Sequence, residues 1–394
     1  MGHLRYLTAG ESHGPGLTVI VEGLPFGVPL EAHDINPDLS RRQGGYGRGG
    51  RMKIERDLAE IRSGVRHGVT LGSPITLLIE NRDWANWGEK MSVEPIDAEI
   101  PPVTKPRPGH ADLAGMIKYG TNDLRNILER SSARETTARV AAGAIARKFL
   151  SELGIQIRSR TARIGSVPDE PELDPSKPST WPWDAVEASP VRAVTPDQTE
   201  AMVEEIDRAR ENGTTLGGIF EVVAWNVPVG LGSHVHWDRK LDAKLTQAIV
   251  SINAVKGVEI GPAFANAAAH GHDVHDEITI DSEHGWTRLS NKAGGFEGGM
   301  TNGQPVVVRG ALKPISTMRR RLRTVDVITL EATTAHFERS DVCVVPSAGV
   351  IGEAMVALVL ADAVLDKFGG DSLTETQMSV TRFRQTNSVS RPDS

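Results

Sequence analysis

The chain has 394 residues, 39% hydrophobic and 24% charged, an ordinary balance that excludes a fibrous or disordered protein. Its formal net charge of −7 argues against a protein whose main task is to coat nucleic acid. The single cysteine, Cys343, excludes an intrachain disulfide and any cysteine-built zinc site.

Positive charge is local instead, around residues 41–53, 125–139 and 318–323. Basic pockets on an acidic chain suit a small anionic ligand, with solvated basic faces as the alternative for any one cluster. The N-terminus carries no apolar signal core, so a soluble, cytoplasmic protein is expected, with no membrane partner. The longest apolar stretch, 349–365, contains Glu353 and Asp362. It is shorter than the ~20 residues a span needs and reads as a buried helix.

In chain order, short β-branched runs bounded by Gly or Pro predict strands at 17–21, 75–79, 219–223 and 306–309. Ser132 and Glu135 have capping-box spacing ahead of Val140, Ala144, Ile145 and Phe149, and predict a helix closing near Gly154. Thr195, Pro196 and Gln198 start a second helix, with Met202 and Ile206 inward. Asp238 is a candidate cap for a third, with Leu241, Leu245, Ile249 and Ile252 on one face. Residues 347–368, followed by Gly369 and Gly370, make the fourth, and 168–190 read as a long surface excursion. Strands do not alternate regularly with helices, so the expected class is α+β rather than doubly wound, in a single domain over 1–394.

Several segments carry chemistry. Thr8-Ala9-Gly10-Glu11-Ser12-His13-Gly14 places a histidine in a strand-end turn, exposed to whatever sits above it. Imidazole can give or take a proton at neutral pH. Residues 41–51 mix glycines with Arg41, Arg42, Arg48 and Arg51, donors matched to phosphate or carboxylate; no P-loop pattern is present. An RNA-binding arginine-glycine patch and a solvated turn are the alternatives. Arg107-Pro108-Gly109-His110-Ala111-Asp112 presents a second histidine, with Asp112 either beside it or capping the next helix. Arg130, Ser131, Ser132 and Arg134 crowd a predicted helix start, where the macrodipole disfavours cations and an anion would be welcome. The glycine-rich 294–303, then Lys313 to Thr317, could cradle a phosphate-bearing cofactor. His270, His272 and His275 look like metal ligands, but no distant set with zinc-type spacing accompanies them, and a polar loop is the preferred reading.

Together, Ala9–Gly14, Gly45–Gly49, Arg107–Asp112, Arg130–Thr136, Lys256–Gly261, Lys313–Thr317 and Arg339–Val342 closely resemble the chorismate synthase family over essentially the whole chain. The resemblance implies a β-α-β sandwich, with helices packed between antiparallel sheets. It implies an anti-1,4-elimination of phosphate from 5-enolpyruvylshikimate 3-phosphate, dependent on reduced FMN without net redox change. His13 would protonate the flavin, His110 the leaving phosphate, and Asp341 would assist proton removal at the flavin. Ser12, Arg42, Arg48 and Arg134 would bind substrate. Arg130, Ser131, Ser132, Asn253, Ala254, Gly298, Lys313, Pro314, Ile315, Ser316, Thr317 and Arg339 would line the FMN site. The same resemblance implies a homotetramer, reduced flavin supplied by an external reductase, and NADPH only indirectly, near Arg42 and Arg48. Met300-Thr301 departs from the Ile-Ser of many relatives. A catalytically inactive, flavin- or phosphate-binding paralogue is the competing reading.

Overall fold

The computed structural model describes residues 4–49, 56–169, 171, 173–281, 285–337 and 341–386. Arg51 and Arg339 lie outside the described residues. Strict alternation builds the first sheet. Leu17, Val19 and Val21 pair antiparallel with Ile79, Leu77 and Ile75, and all six are at most 1% exposed. Arg5–Ala9 and Ala59–Ser63 flank the pair formed by Gly16–Glu22 and Ile75–Glu80. The second sheet runs Val255–Ile260, Val306–Leu312, Gly218–Trp225, Gln156–Ile164 and Val167–Pro168, again antiparallel. Its central strand is a continuous buried run rather than an alternating one, because both faces are covered. Phe220 and Val222 meet the helices, while Val223 lies under Trp181 and beside Val307. The expected surface excursion at 168–190 is therefore partly core: Trp181 and Val186 are buried, and the segment roofs the second sheet.

Two helices fill the space between the sheets. Glu135–Ser151 packs on Gly16–Glu22, Val345–Phe368 packs on Gln156–Ile164 and Gly218–Trp225, and the two helices pack on each other. One hydrophobic cluster runs through both sheets and the helix layer. This is the α+β sandwich expected from the sequence. Val345–Phe368 has the length and apolarity to cross a membrane, but 89% of its most apolar window is buried inside the protein. It is the central core helix. The helices cross where Gly143 faces Ala354; a Cβ on Gly143 would lie 2.3 Å from the Ala354 Cβ. Thr195 accepts the Gln198 N–H and caps Pro196–Glu211, as predicted. Asp238 caps nothing: it lies in a single turn, 2.8 Å from His236 Nδ1, and the helix starts later, at Leu241.

The core helix carries one buried acid among its apolar residues. Both Glu353 oxygens accept from Arg41 at 2.7 Å; Arg147 donates at 2.9 Å and Ser159 Oγ at 2.6 Å, and Arg192 lies 3.4 Å away. Burial alone would raise the Glu353 carboxyl, but the Arg41, Arg147 and Arg192 charges hold it down at about 2.

Gly143→Val should destabilise by ~1–3 kcal/mol or more through overpacking, read as a lower calorimetric Tm. Glu353→Gln should cost ~3–5 kcal/mol, since it leaves buried guanidiniums without their acid. Because the Glu353 carboxyl is held below its ordinary 4.5, its stabilisation is complete above about pH 4.5 and disappears as pH falls towards 2. Denaturant titrations across that window should show a shallower acid loss in Glu353→Gln than in the native chain.

Candidate active site

His13 hangs from the turn that joins the first two strands. That turn is tight: Gly10 has φ +109°, and a Cβ there would lie 2.4 Å from the Gly16 carbonyl oxygen. The expectation of an exposed histidine does not hold, because His13 is only 8% exposed. Its Nδ1 lies 2.9 and 3.0 Å from the two oxygens of Glu129, and its backbone N–H donates to Glu129 Oε2 at 2.9 Å. Trp87 stacks on the ring at 3.8 Å between centroids. Burial would raise the Glu129 carboxyl, but hydrogen bonds from His13 and the charges of His13 and Arg125 hold it below the usual range.

The predicted capping box at Ser132 and Glu135 does not form. The helix starts at Glu135 behind Arg134, with no side-chain cap. Ser132 Oγ instead donates to Ser12 Oγ at 3.1 Å, and Glu135 accepts from Thr8 and Arg139. Each side chain thus has a tertiary partner as well as a local one, the Arg134 N–H for Ser132 and Arg139 for Glu135. Arg130 and Ser131 also change place relative to expectation: they end the helix Arg125–Ser131, where its carbonyl end favours a cation. Arg130 donates to the carbonyls of Thr8 and Gly10, and Ser131 Oγ donates to the Ile127 carbonyl.

The arginines converge on a buried acid that sequence reading missed. Asp57, 4% exposed, lies 3.2 Å from Arg134 Nη2 and 3.6 Å from Arg42 Nη1, and accepts from Thr137 Oγ1 at 3.3 Å. Arg42 also donates to Thr136 Oγ1 and to the Ala133 carbonyl. Arg48 pairs with Asp341 at 2.8 Å, and the Gly49 N–H donates to the same carboxylate. Burial, reinforced by the Arg48 and Arg134 charges, brings Arg42 down to about 10 in spite of Asp57. Three guanidiniums thus repel one another in one buried place.

The second histidine has a similar setting. Asp112 does not cap its helix. Its Oδ1 lies 2.5 Å from His110 Nδ1, and its carboxylate accepts from Arg107 Nε, Nη2 and backbone N–H. Burial opposes ionisation of Asp112, but His110 and Arg107 hold its carboxyl far below the usual range. Arg107 Nη2 lies 3.1 Å from the His110 ring, and Nη1 donates to Thr317 Oγ1.

A chain of contacts links the two halves. Asn253 Nδ2 donates to the Ser131 carbonyl, Lys313 N–H donates to the Ala254 carbonyl, and Lys313 Nζ donates to the Gly109 carbonyl at 2.7 Å. Ala254 adopts a left-handed φ of +70°, rare for a side-chain-bearing residue. Ser316 lies against Gly109, the Ile315 carbonyl accepts from Thr215, and exposed Pro314 sits between Lys313 and Ile315. Burial and the Lys256 charge lower the Lys313 ammonium. An open cavity of about 530 Å³ lies against Arg130 and Ser131, walled by Tyr119, Thr121, Asn126 and Ile127. Gly298 stands apart on a hairpin tip, its nearest side chain His234. Among the described residues no group of three or more His, Cys, Asp or Glu is arranged for a metal ion. In the 270–276 stretch, Asp276 accepts from Ser290 and from the Lys292 and Ala293 N–H groups.

The missed residues left faint signals. Glu129 directly precedes Arg130, and Asp57 follows the arginine-rich stretch, but neither stands in a motif of its own.

Comparison with known proteins identifies the family. The chorismate synthase family model matches residues 4–365. A chorismate synthase from Desulforudis audaxviator is 58% identical over 378 residues, covering 94% of this chain and 95% of that protein. One from Geobacillus sp. is 55% identical over 97% of this chain and 99% of its own length. A crystal structure of chorismate synthase superposes with a TM-score of 0.80 at 45% identity, covering 98% of both chains. In sequence throughout its length and in fold, the chain belongs to the chorismate synthase family of phosphate-eliminating lyases.

Proposed function

We propose that the chain eliminates phosphate and a ring hydrogen from 5-enolpyruvylshikimate 3-phosphate, giving chorismate, with reduced FMN bound beside the substrate. The observation that carries this reading is the meeting of Arg42, Arg48 and Arg134, two of them paired to Asp57 and one to Asp341. Mutual repulsion in a buried place is relieved by a multiply charged anion, and guanidinium forks suit both phosphate and carboxylate. Ser12, held by Ser132, adds a hydroxyl to the same wall.

His110 delivers a proton to the departing phosphate oxygen. Asp112 orients its ring and stabilises its cationic form, and Arg107 adds positive charge beside it. His13 acts as the proton donor on the cofactor side of the site. Asp341, held by Arg48 and the Gly49 N–H, is released for proton transfer when Arg48 turns to the substrate. The elimination breaks one C–O and one C–H bond, forms one C=C bond, and leaves no net oxidation.

The chemistry of the donor set fits FMN. Lys313, with Lys256 as a like charge nearby, offers a phosphate a cation whose hydrogen bond goes to a carbonyl rather than a carboxylate. Ser316, Thr317, Asn253 and the Ala254 backbone adjoin it, and Arg130, Ser131 and Ser132 would border the ring. The cavity beside Arg130 lies within the ~300–1,000 Å³ usual for ligand sites. When bound there, reduced FMN would supply electron density to the substrate, and an external reductase would provide the reduced form.

Gly298 belongs to the same proposal through a second copy. It adjoins Gly299, whose carbonyl accepts the Leu241 N–H at the start of Leu241–Val250, whereas Asn253 follows that helix's end. The two thus lie at opposite ends of a ten-residue helix, about 15 Å apart, and a neighbouring copy would bring its own Gly298 to the flavin. A homotetramer of one-domain chains supplies that neighbour, and the continuous core supports the one-domain reading.

An anaerobic assay with dithionite-reduced FMN and the enolpyruvyl substrate should show chorismate absorbance. A folded, flavin-binding protein giving no product would overturn the reading. His13→Ala and His110→Ala should each slow turnover by about 10²–10⁴-fold with FMN affinity retained. Arg48→Met should raise KM for the substrate by ~10–100-fold, the loss of a charged hydrogen bond. Mass photometry should find four copies per particle in solution.

A further inference from the structure

The His13 ring is held in its plane and across its face, in both cases by residues outside its own turn. In the ring plane, both Glu129 oxygens lie within 3.0 Å of Nδ1. Across its face, Trp87 stacks at an interplanar angle of 26°. Trp87 is itself tied down: its Nε1 donates to Asp83 at 3.0 Å, the Asp83 N–H donates to Asn81, and Asn81 Nδ2 donates back to the Gly14 carbonyl. The loop of contacts therefore closes on the residue next to His13.

Glu129 is held just as firmly. Arg125 Nη1 donates to its Oε1 at 2.7 Å, and the Arg125 guanidinium lies 5.1 Å from the Trp87 ring centroid. The Ser12 N–H donates to the Glu129 carbonyl, and the His13 N–H to its carboxylate. With an exposure of 3%, the carboxylate has little water to compete for its attention.

We propose that Glu129 is a positioning residue for His13: it keeps a proton on Nδ1, so that proton exchange with the reacting groups passes through Nε2. This inference rests on the reading of His13 as a proton donor. A carboxylate on one imidazole nitrogen selects the tautomer, fixes the ring plane and balances the imidazolium when it forms. A backbone carbonyl would select the tautomer but supply no full charge; the chain places an acid there. His110 has an acid on the same nitrogen through Asp112. Both histidines thus have Nδ1 against a carboxylate.

A double-mutant cycle in the anaerobic assay separates positioning from mere support. Glu129→Gln keeps the side-chain shape and should lower kcat by at least about tenfold, with KM and FMN affinity unchanged. In the His13→Ala background the same substitution should have no further effect, because the residue it acts through is gone. An equal slowing in both backgrounds would show that Glu129 acts independently of His13 and would overturn the inference. So would an unchanged kcat in Glu129→Gln while His13→Ala is slow, an outcome that leaves the proton-donor reading intact. If His13→Ala is itself as fast as the native chain, the proton-donor reading fails and takes this one with it. Side-chain ¹⁵N shifts of histidine-labelled native protein supply a check that needs no variant. Neutral His13 should carry its proton on Nδ1, and finding it on Nε2 overturns the inference.

Discussion

The forked ion pair between Arg41 and Glu353 holds the core and the site in register. Glu353 is fixed in the central helix, and its bonds reach Arg41 on the helix Ala32–Gln43, Arg147 on Glu135–Ser151 and Ser159 on the second sheet. A buried acid of this kind contributes little net stability compared with a hydrophobic replacement, because its desolvation is costly. Its value lies in geometry. A planar fork accepts a carboxylate in few orientations, so Arg41 cannot drift, and neither can the residue after it. That residue is Arg42, turned about 100° further round the helix and aimed at Ala133, Thr136 and Asp57. The same turn of helix thus has one guanidinium locked in the core and one presented to the site.

The pairing of candidate site cations with buried or half-buried acids recurs through the site. Arg134 and Arg42 have Asp57, Arg48 has Asp341, Arg107 and His110 have Asp112, and His13 and Arg125 have Glu129. A chain with net charge −7 can therefore build a local cationic surface in which each of these guanidiniums faces an acid. It also explains why the acids matter as much as the motif residues. Each fixes the direction from which its partner meets a ligand, and directional hydrogen bonds give an anion site its selectivity.

What was legible in the sequence was periodic or joined in short motifs. β-Branched runs bounded by Gly or Pro located two of the four strands of the first sheet to within a residue, and Thr195 with Gln198 located a helix start, because these signals depend on near neighbours. Where a side chain had a distant partner, local rules failed. Ser132 and Glu135 have capping spacing, yet Ser12 and Thr8, 120 and 127 residues away, claim them. Asp112 failed at short range: it has a capping position, yet the side chains of His110 and Arg107 in the same turn claim it. Arg130 looked like a cation misplaced at a helix start, and is a cation well placed at a helix end. Asp57 and Glu129 were invisible because their function exists only after 77 and 116 residues of chain separation close, as with Arg134 and His13.

The two cationic regions differ in a way that matches two kinds of occupant. Arg42 and Arg134 share Asp57 and Arg48 has Asp341, so three guanidiniums face two carboxylates and one positive charge is left over. Lys313 has a carbonyl as its hydrogen-bond partner and Lys256 as a like charge, and burial lowers its ammonium further. A phosphate placed there would relieve that repulsion without first displacing a carboxylate. On the proposed reading, the flavin phosphate would sit by Lys313 and the substrate anions by the three arginines, and the difference in charge balance would keep the two apart.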